Sequence, residues 1–441
     1  MPDTVGPEHH ETTSLWGIAK RASDCKDHRF QDLYRHLDAN LLLSCWGDLN
    51  KKAASGVDQV TAQAYEQDLI ANILDLAERL KTKRYRTRLV RCCYIPKENG
   101  GERPLGIPAL EDKLVQQSCA KILNAIYEQD FLPVSYGYRP GRSAKEAVED
   151  LGFNLQYGKY GYVVEADIKG FFDNIDHDWL LEMLRLRIDD KAFLGLIRQW
   201  LKAGILDIDG QILHPVTGSP QGGVISPILA NVYLHYTLDL WFERAVKPRC
   251  HGQAILIRYA DDYVCAFQYQ REAQGFYQNM PQRLEKFGLQ DAPEKTRILR
   301  FSRFHPGLRR RFAFLGFELY WNRDRSGDLR VMKRTVRKKL QQAKRRMKLW
   351  IRFNRHLPGR QFIKELNRKL VGHYNYFGLR SNEKALGSFF SHAIRCAFKW
   401  LNRRGGKRSS FNWGEFNVAL EKLNIAKPRI VEKQRQHVVF A

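Results

Sequence analysis

An α+β fold is predicted by three features of the sequence. Short β-like apolar runs stand at 88–110, 162–168 and 255–267, stretches of helical periodicity surround them, and the last third of the chain becomes helical and strongly basic. Lys and Arg number 73 against 48 Asp and Glu, a net charge of +25 that suits a polyanionic partner. Residues 301–441 hold 35 basic and 8 acidic side chains, which leaves residues 1–300 nearly neutral at −2. Two units follow, a mixed one over 1–330 with its core motifs at about 88–320, and a basic helical one over 331–441.

Residues 1–14 are polar and expected to fray. From Leu15 to Leu80 apolar residues recur at helical spacing (Leu33, Leu37, Leu41, Leu42, then Tyr65, Leu69, Ile73, Leu76), with a break at Ser55-Gly56. Between Arg88 and Leu110 two β-like runs meet at Glu98-Asn-Gly-Gly, a hairpin signal. A helix is expected over 111–129, a loop over 135–143 and a further helix from Ala144. Tyr162 to Ile168 reads as a strand and Ile255 to Phe267 as strand, turn and strand, both with acids at strand ends. Ser226-Pro227 predicts a helix start, with Ser as cap and Pro in the first turn. Beyond Val331 three amphipathic helices are marked by Leu340, Met347 and Trp350, by Phe362, Leu366, Leu370 and Tyr374, and by Leu386, Phe389, Ala393 and Trp400.

Several classes are excluded. The eight cysteines form no Cys-x-x-Cys pair and no paired spacing with His, so they are expected to be reduced core residues of a cytoplasmic protein, without zinc or disulfides. The amino terminus lacks a secretory pattern, and the longest uncharged stretch, about 210–238, is broken by Pro215, Pro220 and Pro227. No membrane partner is expected.

Asp261-Asp262 sits between two β-like runs, where a tight turn lets both carboxylates face one pocket. Such a pair repels, and a divalent cation keeps both ionised. Magnesium takes hard oxygen ligands, and Asp167, at the end of another β run, can supply a third. Two ions about 3.5–4 Å apart would activate a 3′-hydroxyl and stabilise leaving pyrophosphate. An isolated Asp-Asp is more often a solvated turn; order and flanks decide here.

Six ordered motifs resemble the group II intron family of reverse transcriptases, from about Leu33 to Ile430. They are Ile95-Pro-Lys-Glu-Asn-Gly-Gly-Glu-Arg-Pro-Leu-Gly-Ile-Pro, Tyr136-Gly-Tyr-Arg-Pro-Gly-Arg-Ser, Val164-Glu-Ala-Asp167-Ile-Lys-Gly-Phe-Phe-Asp-Asn-Ile-Asp-His, Gly218-Ser-Pro-Gln-Gly-Gly-Val-Ile-Ser-Pro, Tyr259-Ala-Asp-Asp262 and Phe314-Leu-Gly-Phe. The resemblance implies a right-hand polymerase, with fingers and palm on an antiparallel sheet followed by an all-helical thumb/maturase domain. It implies two Mg2+ ions at Asp167, Ile168, Asp261 and Asp262, and a triphosphate held by Lys97 and Arg103. Phe172 would sit beneath the deoxyribose, with Phe171 as the rival if the register slips by one, and Gln221 and Gly222 would meet the nucleotide. Lys295 either protonates pyrophosphate or holds the fold.

RNA-binding cations would be Lys333, Arg334, Arg337, Lys338, Arg345, Arg346, Arg403, Arg404, Lys407 and Arg408. The implied partners are structured intron RNA, an RNA template with a DNA or RNA primer, deoxynucleoside triphosphates and a DNA target. The implied setting is a nucleoid-associated ribonucleoprotein of a bacterial cytoplasm that assists intron splicing and mobility. Many relatives carry a carboxy-terminal endonuclease with paired cysteines, and this sequence shows none, so second-strand cutting by the chain itself is not expected. Two alternatives stay open: a reverse transcriptase domesticated for defence or repair, and a non-catalytic RNA-binding splicing factor, which retention of all three Asp argues against.

Overall fold

The structure, a computed structural model, describes residues 8–96, 101–207, 211–213, 217–218, 222–403 and 410–432. Helix α1 (Glu8–Asp24) reaches into the segment expected to fray. Helices α2 (Ala39–Asp48) and α3 (Ala62–Glu66), capped by the side chains of Asp38 and Thr61, precede α4 (Leu69–Lys81). The predicted hairpin is formed by β1 (Val90–Pro96) and β2 (Glu102–Ile107); its turn lies outside the described residues. Then come α5 (Leu110–Tyr127) and α6 (Ala144–Tyr157), the latter opened by a Ser143/Glu146 capping box.

Strand β3 (Tyr162–Ala166) leads through a tight turn at Phe171–Asp173 to α7 (His177–Arg185) and α8 (Lys191–Leu201). These two helices have no counterpart in the sequence prediction, although Asp176 and Asp190 cap them as Ncap residues should. After the short strands β4 (Ile205–Leu206) and β5 (Ile212–Leu213), α9 (Ser226–Leu234) carries Pro in its first turn as expected. The cap differs by one residue: Ile225 takes that position, and Ser226 is buried inside the helix. Wide π-type turns at His235–Asp239 and Phe242–Val246 extend it.

Next are β6 (Ala254–Tyr259), β7 (Asp262–Phe267), α10 (Gln270–Glu285), β8 (Arg297–Arg300), β9 (Arg311–Phe314), β10 (Phe317–Arg323) and β11 (Leu329–Thr335). The helical unit comprises α11 (Arg337–Asn354), α12 (Gly359–Phe377), α13 (Glu383–Leu401) and α14 (Trp413–Lys422).

The sheet that matters most has the order β6-β7-β3-β8, antiparallel throughout. Its alternate residues serve two cores. Tyr263, Cys265 and Phe267 of β7 join the large core built on α5, α9 and α10, while Val264 and Ala266 join a second core with α6 and the β11-β10-β9 sheet. Coverage on both faces explains why β7 reads as an unbroken apolar run. Of these, the Val264 and Phe267 side chains each contribute roughly 1.5–3 kcal/mol when fully buried.

Strand β11 crosses the boundary drawn at residue 330, and the helices begin at Arg337. Charge marks surface rather than period, so Lys333 and Arg334 on the strand look like the start of the basic helices. A fourth helix, α14, has an Asn412/Glu415 capping box that the sequence already displays. The third core gathers Ile351, Leu366, Tyr374, Phe389 and Phe416, and mutual hydrogen bonds between Thr335 and Asn382 tie it to β11. Among the described residues no helix is long and apolar enough to cross a membrane. All eight cysteines are free, and Cys93 is exposed rather than in a core.

Candidate active site and nucleic-acid surfaces

Ala166 at the end of β3 pairs with Tyr263, so Asp167, one step on, lies opposite Asp262, the first residue of β7. Tyr259 pairs with Asp262 across a two-residue turn in which Ala260 adopts φ +54°. These strand ends open into a cavity of about 380 Å3 that Glu165, Glu294, Lys295, Phe314 and Leu315 also line. Its far wall is the β9–β10 turn, where Leu315 (φ +49°) and Gly316 (φ +80°) both take the left-handed conformation that suits tightly twisted hairpins.

Loss of hydration, then the neighbouring Asp261 and Asp167 carboxylates, push the Asp262 carboxyl up to about 6, against the pull of Lys295 and Lys339. The Lys295 ammonium donates to the Asp167 carboxylate, and that hydrogen bond raises its own pKa. Three mutually repelling carboxylates with an ammonium lodged among them are a chemical fit for a hard divalent cation. Among the described residues no three His, Cys, Asp or Glu side chains form a ready-made metal cage. Magnesium does not need one, because it takes much of its coordination from substrate phosphates and water. Ile168 is 2% exposed and forms an isolated β-bridge with Asp291, which leaves only its main chain as a source of an oxygen ligand.

Lys97 and Gln221 lie outside the described residues; Arg103 sits on β2 opposite Ile95. Gly222 has φ +111°, and a Cβ there would stand 2.5 Å from the Gly106 oxygen and 2.8 Å from the Leu105 side chain, so this glycine presses directly on β2. Downstream, the Val224 amide donates to Gln116 Oε1. Upstream, Gly218 donates its amide to the Ile175 carbonyl and crowds the Asp173 backbone. Gly222 thus packs against the β1–β2 hairpin, and Gly218 against the turn carrying Phe172. Of the two candidate rings, Phe171 is buried in the core, and Phe172 is half-buried at its edge.

Four supports of this site were not predicted. Arg258, one residue before the Tyr259-Ala-Asp-Asp turn, is fully buried, paired with Asp239, and bonded to Asn231 Oδ1, Ser135 Oγ and the Ala260 carbonyl. A charged residue inside the apolar run Ile255-Leu-Ile-Arg258 was the available signal. Arg139 is fixed by Glu128 and the carbonyls of Leu132 and Ser135. Lys339, at the start of α11, acts electrostatically on Asp262, and Tyr376 of α12 donates to the Leu315 carbonyl. None of the four lines the cavity; each acts through a neighbour that the fold brings to it.

Of the predicted RNA-binding cations, Arg337, Lys338, Arg345, Arg346 and Arg403 are exposed. Lys333 is 8% exposed and pairs with Glu432 at 2.9 Å, and Arg334 pairs with Glu318, so both are engaged within the chain. Arg404, Lys407 and Arg408 lie outside the described residues. Arg403 joins Arg352 and Arg355 around the Trp400 ring at 5.4–5.7 Å. Tyr374 is core, and Trp350 stacks on Phe362. A second basic surface lies in the unit that composition shows as neutral: Lys83, Arg86, Arg88, Lys191, Arg198 and Lys202 line a concavity of about 920 Å3 without a carboxylate in its lining.

A family model described as reverse transcriptase (RNA-dependent DNA polymerase) matches residues 95–319, about half of the chain. The chain is 40% identical over 223 residues to the Group II intron-encoded protein LtrA of Lactococcus lactis subsp. cremoris, covering 49% of this chain and 36% of that protein. It is 33% identical over 307 residues to Protein YkfC of Escherichia coli, covering 63% and 78%. A third relative, the uncharacterized 91 kDa protein in cob intron of Schizosaccharomyces pombe, is 39% identical over 188 residues, covering 43% and 22%. The chain therefore spans about a third of the first relative's length and most of the second's.

Proposed function

The chain belongs to the reverse transcriptase (RNA-dependent DNA polymerase) family, and from that premise we propose that it is an RNA-directed DNA polymerase of the group II intron type. It extends a DNA or RNA primer on an RNA template. The primer 3′-oxygen bonds to the α-phosphorus of a deoxynucleoside triphosphate as pyrophosphate leaves. The observation that carries this reading is the adjacency of Asp167 and Asp262 on neighbouring strands, with Asp261 close enough to act on the same carboxyl.

Two Mg2+ ions, when bound there, supply positive charge to the nucleophile and the leaving group. Asp167, Asp261, Asp262 and the Ile168 main chain would hold them. Lys97 and Arg103 bind the triphosphate, as a point charge and a planar fork. Gly222 lets the Gln221 loop approach the nucleotide, and Phe172 leaves no room for a 2′-hydroxyl. Lys295, next to Asp167, gives a proton to the departing pyrophosphate. Residues up to β11 act as fingers and palm, and the helices from Arg337 act as a thumb that grips the primer–template duplex.

Structured intron RNA and a DNA target are the further partners, with the chain assisting splicing and mobility as a nucleoid-associated ribonucleoprotein. Support comes from the similarity to a group II intron-encoded protein and from the exposed cations of α11, Arg403 and the concavity beside α8. The test is Asp261→Asn. Magnesium-dependent primer extension on an RNA template is expected to vanish while RNA affinity stays within about twofold; extension at the wild-type rate overturns the assignment.

A further inference from the structure

Tyr138 is a non-glycine residue held at φ +59°, and its neighbours on both sides are fastened. Gly137 lies so close to the catalytic turn that a Cβ would stand 2.3 Å from the Ala260 nitrogen, and its carbonyl accepts from Asn231 Nδ2 at 2.7 Å. Before it, the Tyr136 amide donates to the Arg258 carbonyl at 2.9 Å. After it, the Arg139 guanidinium is locked on Glu128, Leu132 and Ser135. A left-handed tyrosine costs free energy wherever it occurs, and here the bonds made by its neighbours hold the backbone in it.

The ring this backbone presents is 48% exposed and touches two others. It stands edge-on to Phe172, with centroids 6.4 Å apart and planes at 72°, and tilted to Tyr259 at 6.5 Å. Phe172 also meets the buried Phe171 ring, with centroids 5.3 Å apart. Phe172 thus touches one ring from the core and one from the Tyr136–Arg139 loop. That loop is bolted to the same turn that carries Asp261 and Asp262.

We propose that Tyr138 is a positioning residue for sugar selection: its ring edge holds the Phe172 ring in place and ties that placement to the Tyr259–Asp262 turn. This rests on the reading of Phe172 as the residue that excludes a 2′-hydroxyl. The ring of Tyr138, rather than its hydroxyl, makes this contact. An edge contact between aromatic rings is worth a factor of about two to ten.

The experiment compares kcat/KM for a deoxynucleotide and the matching ribonucleotide in primer extension with the full chain. Tyr138→Ala is expected to lower deoxy-over-ribo discrimination about tenfold, with deoxynucleotide kcat/KM falling less than about threefold; Tyr138→Phe is expected to keep wild-type discrimination. Tyr138→Leu, which keeps apolar bulk without a ring edge, gives the same reading if the alanine variant folds poorly. The double variant Tyr138→Ala/Phe172→Ala is expected to discriminate no worse than Phe172→Ala alone, because Tyr138 acts through that ring. Wild-type discrimination in both Tyr138→Ala and Tyr138→Leu overturns the proposal while Phe172→Ala still loses selectivity. Unchanged discrimination in Phe172→Ala overturns the reading of Phe172 instead.

Discussion

Arg258 and Asp239 form an ion pair with both side chains at 0% exposure, Nη2 to Oδ2 at 2.6 Å, directly beneath the turn that carries Asp261 and Asp262. Breaking such a pair leaves an uncompensated buried charge, which costs about 3–5 kcal/mol. Asp239→Asn is therefore expected to lower unfolding free energy by that amount and to reduce primer extension, since Arg258 also holds the Ala260 carbonyl. Denaturant unfolding checks the first part; a change below about 1 kcal/mol argues against it.

Lys295→Gln removes the ammonium beside Asp167. A lost proton donor is expected to lower kcat about 100-fold with nucleotide KM nearly unchanged. Unchanged kcat with a lowered Tm would assign Lys295 to the fold alone.

Gly222→Ala puts a methyl group within 2.5 Å of the Gly106 carbonyl at a φ of +111°. The loop must move off β2, so nucleotide KM is expected to rise at least several-fold while RNA affinity holds. A KM equal to the wild type's would show that the loop's contact with β2 does not shape the nucleotide site.

The concavity beside α8 gives a salt-dependence prediction. Replacing Lys191, Arg198 and Lys202 by Gln is expected to weaken RNA binding and to flatten the slope of log K against log salt by up to about 2.7. An unaltered slope would remove this surface from the RNA interface.

Burial pushes the His235 imidazole down to about 4. The unfolded chain takes up a proton below about 6.5 and the folded one does not until about 4, so stability falls as pH drops through that window, by on the order of 3 kcal/mol. Burial also lowers His373 to about 4, in the same direction, whereas it raises Asp112 to about 6 and so opposes both. His235→Phe keeps a ring against Phe131 and Tyr236 and removes the titration. The variant is expected to gain stability relative to wild type as pH falls from 6.5 to 4; parallel pH curves would contradict this.

Much of this was legible in the sequence, because the relevant signals are local. Hairpin chemistry foretold β1–β2, and apolar runs ending in acids foretold β3 and the β6–β7 turn, with Asp167, Asp261 and Asp262 at their ends. Where signals average or conflict, the reading slipped. Helices α7, α8 and α14 are marked in the sequence by their cap residues, and charge places the domain boundary inside β11. Lys333 belongs by composition to a nucleic-acid surface, and by contact to Glu432.

Local signals are enough to set the strands and turns that carry the aspartates, since backbone propensity and side-chain alternation act over a few residues. Which distant residues share their surroundings depends on the folded chain. Arg258 with Asp239, Tyr138 with Phe172, Lys339 with Asp262, Tyr376 with Leu315, and six cations gathered from a neutral unit all depend on how strands register and helices dock. Those contacts span tens to hundreds of residues, and no local pattern specifies them; burial of the apolar faces sets the register, and the charged groups follow it.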